Sequence, residues 1–252
     1  MTIGSDHPDR SIAACLPEPE ALLCGTDWAA LDDARGSAED IPAALVALLD
    51  PDPAIRAEAL ERGLEPVRHQ NSVYPATPPA ALYVASILSD PRTLAVGAYD
   101  LERGRPPESR ELPFRAALLD WLCSLALDVD DACVEAIRRF GSETHPESEA
   151  LRALRPVFFR AVAVFLRDGD QDVRDAALAV AVSLVEDPAL AGHRLELVPL
   201  ARELLAAGGD PAHRRQAIRG LRAWGHDPSD LTTSDDVPVD PWAGGCADDP
   251  PF

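Results

Sequence analysis

The sequence predicts an all-α protein, built as a right-handed α-α superhelix of the solenoid type with flexible ends. Three observations predict it. Apolar residues recur at helical spacing through a body of roughly 200 residues. Hydrophobic residues make up 46% of the chain but aromatic residues only 5%, a small, aliphatic composition that suits helix packed on helix. A nine-residue pattern also recurs along the body, and self-similarity of this kind marks stacked repeats.

The pattern is Asp at i, Arg at i+4, Ala at i+7 and Leu or Ile at i+8. One copy holds Asp52, Arg56, Ala59 and Leu60; the next clear copy holds Asp170, Arg174, Ala177 and Leu178. The last holds Asp210, Arg214, Ala217 and Ile218, and a degenerate copy at Glu111 holds Arg115, Leu118 and Leu119. The starting acids at 52, 111, 170 and 210 are separated by 59, 59 and 40 residues, the last spacing being that of one helix pair. The acid should cap the second helix of a pair by accepting from its first free N–H groups. Pro53 and Pro211 then fall where a missing N–H is harmless. Positions i+3, i+7 and i+8 share a face and should pack inward. The Arg should reach across to the neighbouring repeat, with Asp210 a candidate acceptor for Arg174, because its planar fork holds two acceptors.

In chain order, residues 1–25 read as a flexible arm with Pro8, Pro17 and Pro19. Residues 26–225 are the repeat body, and 226–252, with its many acids and prolines, should be an acidic disordered tail. Ser37 to Asp40 resembles a capping box before Ile41, Leu45, Leu48 and Leu49. Thr77-Pro78 should open a helix running to Leu88. Leu151 to Leu166 and Leu195 to Leu205 should be partner helices to the later motif copies, and 103–110 and 141–147 should be loops.

These residues resemble HEAT repeats of the bacterial, phycobilisome-lyase-like type. The segments Ile41 to Asp50 and Asp52 to Leu64 carry the repeat. Asp27-Trp28 to Pro42 and the run Arg68-His69-Gln70-Asn71-Ser72-Val73-Tyr74-Pro75-Ala76-Thr77 are similar to an actinobacterial group of such proteins. Asn71 stands where that group commonly has Gly. The resemblance spans about Asp27 to Gly225 and implies an α-solenoid used for binding. It does not imply a catalytic activity, and nothing in these residues argues for a bilin, so no cofactor is expected.

Charge narrows the function classes. Lys and Arg total 23 against 43 Asp and Glu, a net charge of −20, and every one of the bases is Arg. Such a chain is a poor non-specific ligand for nucleic acid or for an anionic membrane surface. Its apolar runs fall short of a membrane span. Five cysteines without C-x-x-C spacing argue for free thiols, and the short run Ile12 to Leu16 is no signal-peptide core, so a cytoplasmic location is expected.

His69, Gln70 and Tyr74 form the most polar cluster in the body, read either as a binding site or as a turn bonded to backbone. His145, Glu147 and Glu149 lack metal-site spacing. Glu58, Glu61 and Glu65 share one helical face near the start, and Arg215, Arg219 and Arg222 share one near the end. The expectation is a non-catalytic protein-binding module whose partner is basic, with immunity-like neutralisation as one form. Glu58, Glu61, Glu65, His69, Tyr74, Arg215, Arg219 and Arg222 are its candidate contacts. A HEAT-like lyase or glycosylase, an enzyme accessory or an assembly scaffold is the alternative.

Overall fold

The computed structural model describes residues 16–99, 111–139 and 146–236. The fold is mostly helical, with a few strands of two or three residues. The loops expected at 103–110 and 141–147 fall largely outside the described residues, as do 1–15 of the arm and 237–252 of the tail.

The N-terminal half is built from a recurring unit in which a 3-10 turn leads to a short β-hairpin and then a helix. Trp28–Ala30 precedes β1 (Asp32–Asp33), β2 (Gly36–Ser37) and α2 (Ile41–Ala47). Glu65–Val67 precedes β3 (Arg68–His69), β4 (Ser72–Val73) and α4 (Thr77–Ile87). Asp32 and Arg68 lie 36 residues apart, as do Ile41 and Thr77, so the unit repeats in register. The first hairpin bonds to the segments on either side of the second, through Ala34 N to Pro66 O and Ala76 N to Asp32 O. A third unit joins Pro91–Leu94 to β5 (Val96–Ala98), β6 (Glu111–Pro113) and α5 (Phe114–Asp128). Ser37 is therefore a strand residue, and Asp40 makes no side-chain cap, so the expected capping box does not form. Ile41, Leu45 and Leu48 are buried all the same.

The C-terminal half is helical hairpins. After α6 (Asp131–Arg139), α7 (Pro146–Ala153) and α8 (Arg155–Ala163) lead to α9 (Gln171–Leu184), and α10 (Arg194–Ala207) leads to α11 (Pro211–Ala223). α9 packs against α5, α8 and α11, and every residue from Ala176 to Val185 is buried. Small side chains allow this close approach; a Cβ on Gly220 of α11 would stand 2.6 Å from Val182 Cγ1.

The motif residues do what helix physics asks of them, with two corrections. Asp52 caps α3 (Pro53–Glu58), Asp170 caps α9 and Asp210 caps α11, each accepting from backbone N–H groups. The i+7 and i+8 residues are buried in all copies. Ile55, at i+3, instead stays 44% exposed. Arg174 is not held by Asp210, the acceptor expected for it, whereas Arg56 also reaches Tyr99 Oη beyond β5 (3.4 Å) and Arg115 Nη1 pairs with Asp168 (3.5 Å) in the turn before the next motif copy. Arg174 Nη1 donates to Asp168 O (2.7 Å) and Gly169 O (3.0 Å), in the turn that enters its own helix. Arg56 does the same with Asp50 O and Pro51 O.

The physical reason is that helix C-termini leave carbonyls unpaired and carry partial negative charge. The chain answers this repeatedly with guanidinium groups. Arg115 Nε donates to Leu88 O, after α4 (2.7 Å); Arg152 and Arg155 donate to Val129 O, after α5; Arg194 donates to Val185 O, after α9. Arg214 donates to Leu205 O in the last turn of α10 (2.7 Å). A planar fork can satisfy two carbonyls at once, which a point ammonium does less well, and this suits a body whose bases are all Arg.

The folded body is wider than 26–225. α1 (Pro19–Gly25) packs on α4, with Leu22 buried and Trp28 Nε1 donating to Leu23 O. Beyond Gly225 the chain turns back through His226 N to Leu221 O (2.8 Å), and Asp236 is buried against Arg214. The tail boundary expected at 226 therefore moves to at least 236.

Candidate functional site: a charged cleft beside the second hairpin

The site begins with an irregular helix end. α3 passes directly into a π-helical turn, Ala59–Gly63, closed by Leu64 N to Ala59 O at 2.9 Å. The wider turn holds one extra residue and rotates Glu61 and Arg62 relative to an α-helical path. Gly63 is required where the turn meets α2, since a Cβ there would stand 2.8 Å from Ala44 Cβ.

The hairpin follows. Arg68 pairs with Val73 and His69 with Ser72, leaving the two-residue loop Gln70-Asn71. Both loop residues have positive φ, 51° and 60°, the geometry of the tight hairpin turn that matches strand twist. Asn tolerates this conformation; Gln does so at some cost.

Together these segments and α5 enclose a cleft of about 650 Å³. Glu61, Arg62, Glu65, Arg68 and His69 stand along it, Arg35 reaches in from the first hairpin, and Trp121 and Ser124 of α5 form its floor. Trp121 is only 5% exposed. Arg68 grips Asp128 by two bonds, Nε to Oδ2 at 2.5 Å and Nη2 to Oδ1 at 3.1 Å, and also donates to Asn71 Oδ1. Glu65 accepts from Arg35 Nη2 (2.9 Å) and is hydrogen-bonded to His69 Nδ1. Burial pushes the Glu65 carboxyl up, but the hydrogen bonds and charges of His69 and Arg35 outweigh it and hold its pKa below the usual value. Asp128 shows the reverse balance, burial raising it more than Arg68 lowers it.

Chemically the cleft offers charges of both signs over an aromatic floor. The Ser124 hydroxyl is committed to Asp120 O at 3.0 Å. The neighbouring Cys123 thiol is sealed, and burial pushes its pKa up to about 12. Among the described residues no group of three His, Cys, Asp or Glu is arranged to hold a metal.

The structure sorts the candidate contacts. Glu61, Glu65 and His69 meet at the cleft. Glu58 lies at its edge, exposed and paired with Arg62 Nη1 at 3.3 Å, beside a shallower hollow of about 450 Å³ lined by Ala44, Ala47 and Ile55. The expected acidic face is therefore corrected, because Glu65 turns inward, paired with Arg35 and hydrogen-bonded to His69. Tyr74 lies apart, its backbone N–H donating to Thr77 Oγ1 at 2.7 Å. The arginine stripe is corrected too. Arg215 and Arg222 are exposed, whereas Arg219 Nη2 is held by Asp130 Oδ2 and Glu186 Oε1, each at 2.7 Å. Sequence reasoning missed Arg35, Arg68 and Trp121. The adjacency of Arg68 to His69 was the available signal, whereas Arg35 arrives because the first hairpin bonds to the turn that enters the second, and Trp121 reads as ordinary core.

Comparison with family models, with curated proteins and with solved structures finds no match for this chain. No helix among the described residues is long and apolar enough to cross a membrane.

Proposed function

We propose that the chain is a non-catalytic, HEAT-type α-solenoid module that binds a protein partner through the charged cleft beside the second hairpin. The observation that carries the reading is the concentration of uncommon backbone at one place. A π turn and a left-handed residue pair flank the same cleft, and such features collect at functional sites.

The charges at the cleft mouth support it. Arg62 and Glu58 are 73% and 60% exposed, and Arg35 is 66% exposed where it meets Glu65. The Arg62–Glu58 pair, exposed on both sides, is worth about 0–1 kcal/mol, so it exchanges readily for groups on a partner. The partner is a protein of net basic charge, steered by the −20 of the chain, with acidic groups of its own to meet Arg35 and Arg62.

The test is site-specific photo-crosslinking in the native cell. A photoreactive residue at Gln70 should give a discrete protein adduct, and the same residue at Glu203 on α10 should not. Adducts from position 203 alone, or none from 70, contradict the reading.

A further inference from the structure

α11 reaches past α9 to touch α5 and the turn that follows it. His213 Nε2 lies 2.7 Å from Asp120 Oδ1 of α5, a contact across 93 residues of chain. Six residues on, Arg219 grips Asp130 and Glu186. Gln216 lies between these two contacts with its Oε1 buried and without a hydrogen bond. The seam is thus polar and partly buried, the His213 side chain being 13% and that of Asp120 31% exposed.

Carboxylates face the imidazole from each element around it. Asp120 comes from α5 and Asp210 from the N-terminus of α11 itself. Asp175 comes from α9, flanked by Arg174 and Asp172. Asp175 is also close to the α10–α11 turn, where a Cβ on Gly209 would stand 3.3 Å from its Oδ2. A protonated imidazole offsets these charges, alongside Arg174 and the Gln171 amide at Asp175 and the backbone N–H of Ala212 at Asp210. When it is neutral, Nε2–H can still donate to Asp120, but three carboxylates then crowd one another in a partly desolvated seam.

We propose that the His213–Asp120 contact is a proton-operated latch that holds the first half of α11 against α5. The Arg219 contacts carry no proton that leaves at physiological pH and serve as the fixed hinge. Burial works against the charged imidazole, yet the hydrogen bond and charge of Asp120, with Asp210 and Asp175, outweigh it and raise the His213 pKa. A raised histidine pKa gives closure that is complete below the free-histidine value of about 6.5 and lost as pH rises through the folded value. Asp175 works in the same sense, since burial raises its pKa and protonation at low pH also relieves the crowding.

The test uses the full chain. Histidine ring NMR from about pH 5.5 to 9 follows His213, and hydrogen exchange, corrected for intrinsic rate, follows residues 210–218. The His213 midpoint should lie above 6.5, and protection of 210–218 should fall over the same range by about tenfold per unit of that excess, with 219–223 unchanged. Asp120→Asn and His213→Gln should abolish the pH dependence, and His226→Gln should leave it intact. A wild-type midpoint at or below about 6.5, or protection that is flat across the titration, overturns the latch even if the variants fail to fold.

Discussion

Arg214 and Asp236 form a two-point ion pair sealed from solvent. Nε meets Oδ1 at 2.7 Å, Nη2 meets Oδ2 at 2.6 Å, and the side chains are 7% and 3% exposed. The same guanidinium donates to Leu205 O and Leu231 O, so one side chain joins α10, α11 and the segment after α11. Removing one partner of a buried pair strands the other charge and costs about 3–5 kcal/mol. Asp236→Ala should therefore lower stability by about that much in urea unfolding, and a loss near zero would contradict the pairing.

The pair also sets an acid limit. Arg214 hydrogen bonds, more than any other cause, hold the Asp236 carboxyl far below its usual pKa. A depressed carboxylate pKa gives stability that is present above about pH 4 and lost as pH falls toward the folded value. The unfolding midpoint should drop on acidification below about pH 4, and the drop should be shallower in Asp236→Asn. Identical acid limbs in both proteins would locate the acid sensitivity elsewhere.

The helix-end arginines should rank by burial. Arg115 is 7% exposed, donates to Leu88 O and Thr93 Oγ1, and lies over the Phe165 ring at 4.8 Å. Arg174 bonds two carbonyls from a half-buried position. Charge-assisted bonds contribute about 1.5–3 kcal/mol, so Arg174→Ala should cost about that much and Arg115→Ala more. Lys at either position should recover only part of the loss. Full recovery by Lys would mean that charge alone, and not the fork, is what the site uses.

Much of this was legible in the sequence. The Asp caps at 52, 170 and 210 followed from side-chain chemistry that acts within a few residues. So did the buried i+7 and i+8 positions, which follow from helical period alone. What escaped depends on tertiary placement. Glu58, Glu61 and Glu65 share a face only if the helix stays α, and the π turn at Ala59–Gly63 breaks that spacing. Arg219 reads as a stripe residue until α5 and α9 bring Asp130 and Glu186 to it. Arg35 and Glu65 are 30 residues apart and meet because the first hairpin bonds to the turn that enters the second.

Glycine at the π turn offers a direct check on that break in spacing. Gly63→Ala removes backbone freedom and gains up to about 1 kcal/mol of helix propensity. The new methyl would also stand 2.8 Å from Ala44 Cβ, an overpacking that costs about 1–3 kcal/mol. The clash should win, giving a net loss of roughly 1 kcal/mol and weaker partner binding, because the cleft wall moves. A stabilised variant would show that α2 and the π turn are not in close contact.

The most direct measurement is a hydrogen-exchange footprint of the full chain with and without the protein captured by crosslinking at Gln70. A partner seated in the cleft should add protection in residues 59–73, at the floor around Trp121 and Ser124, and in the first hairpin around Arg35. Protection confined to α11 around Arg215 and Arg222, with the cleft unchanged, would contradict it.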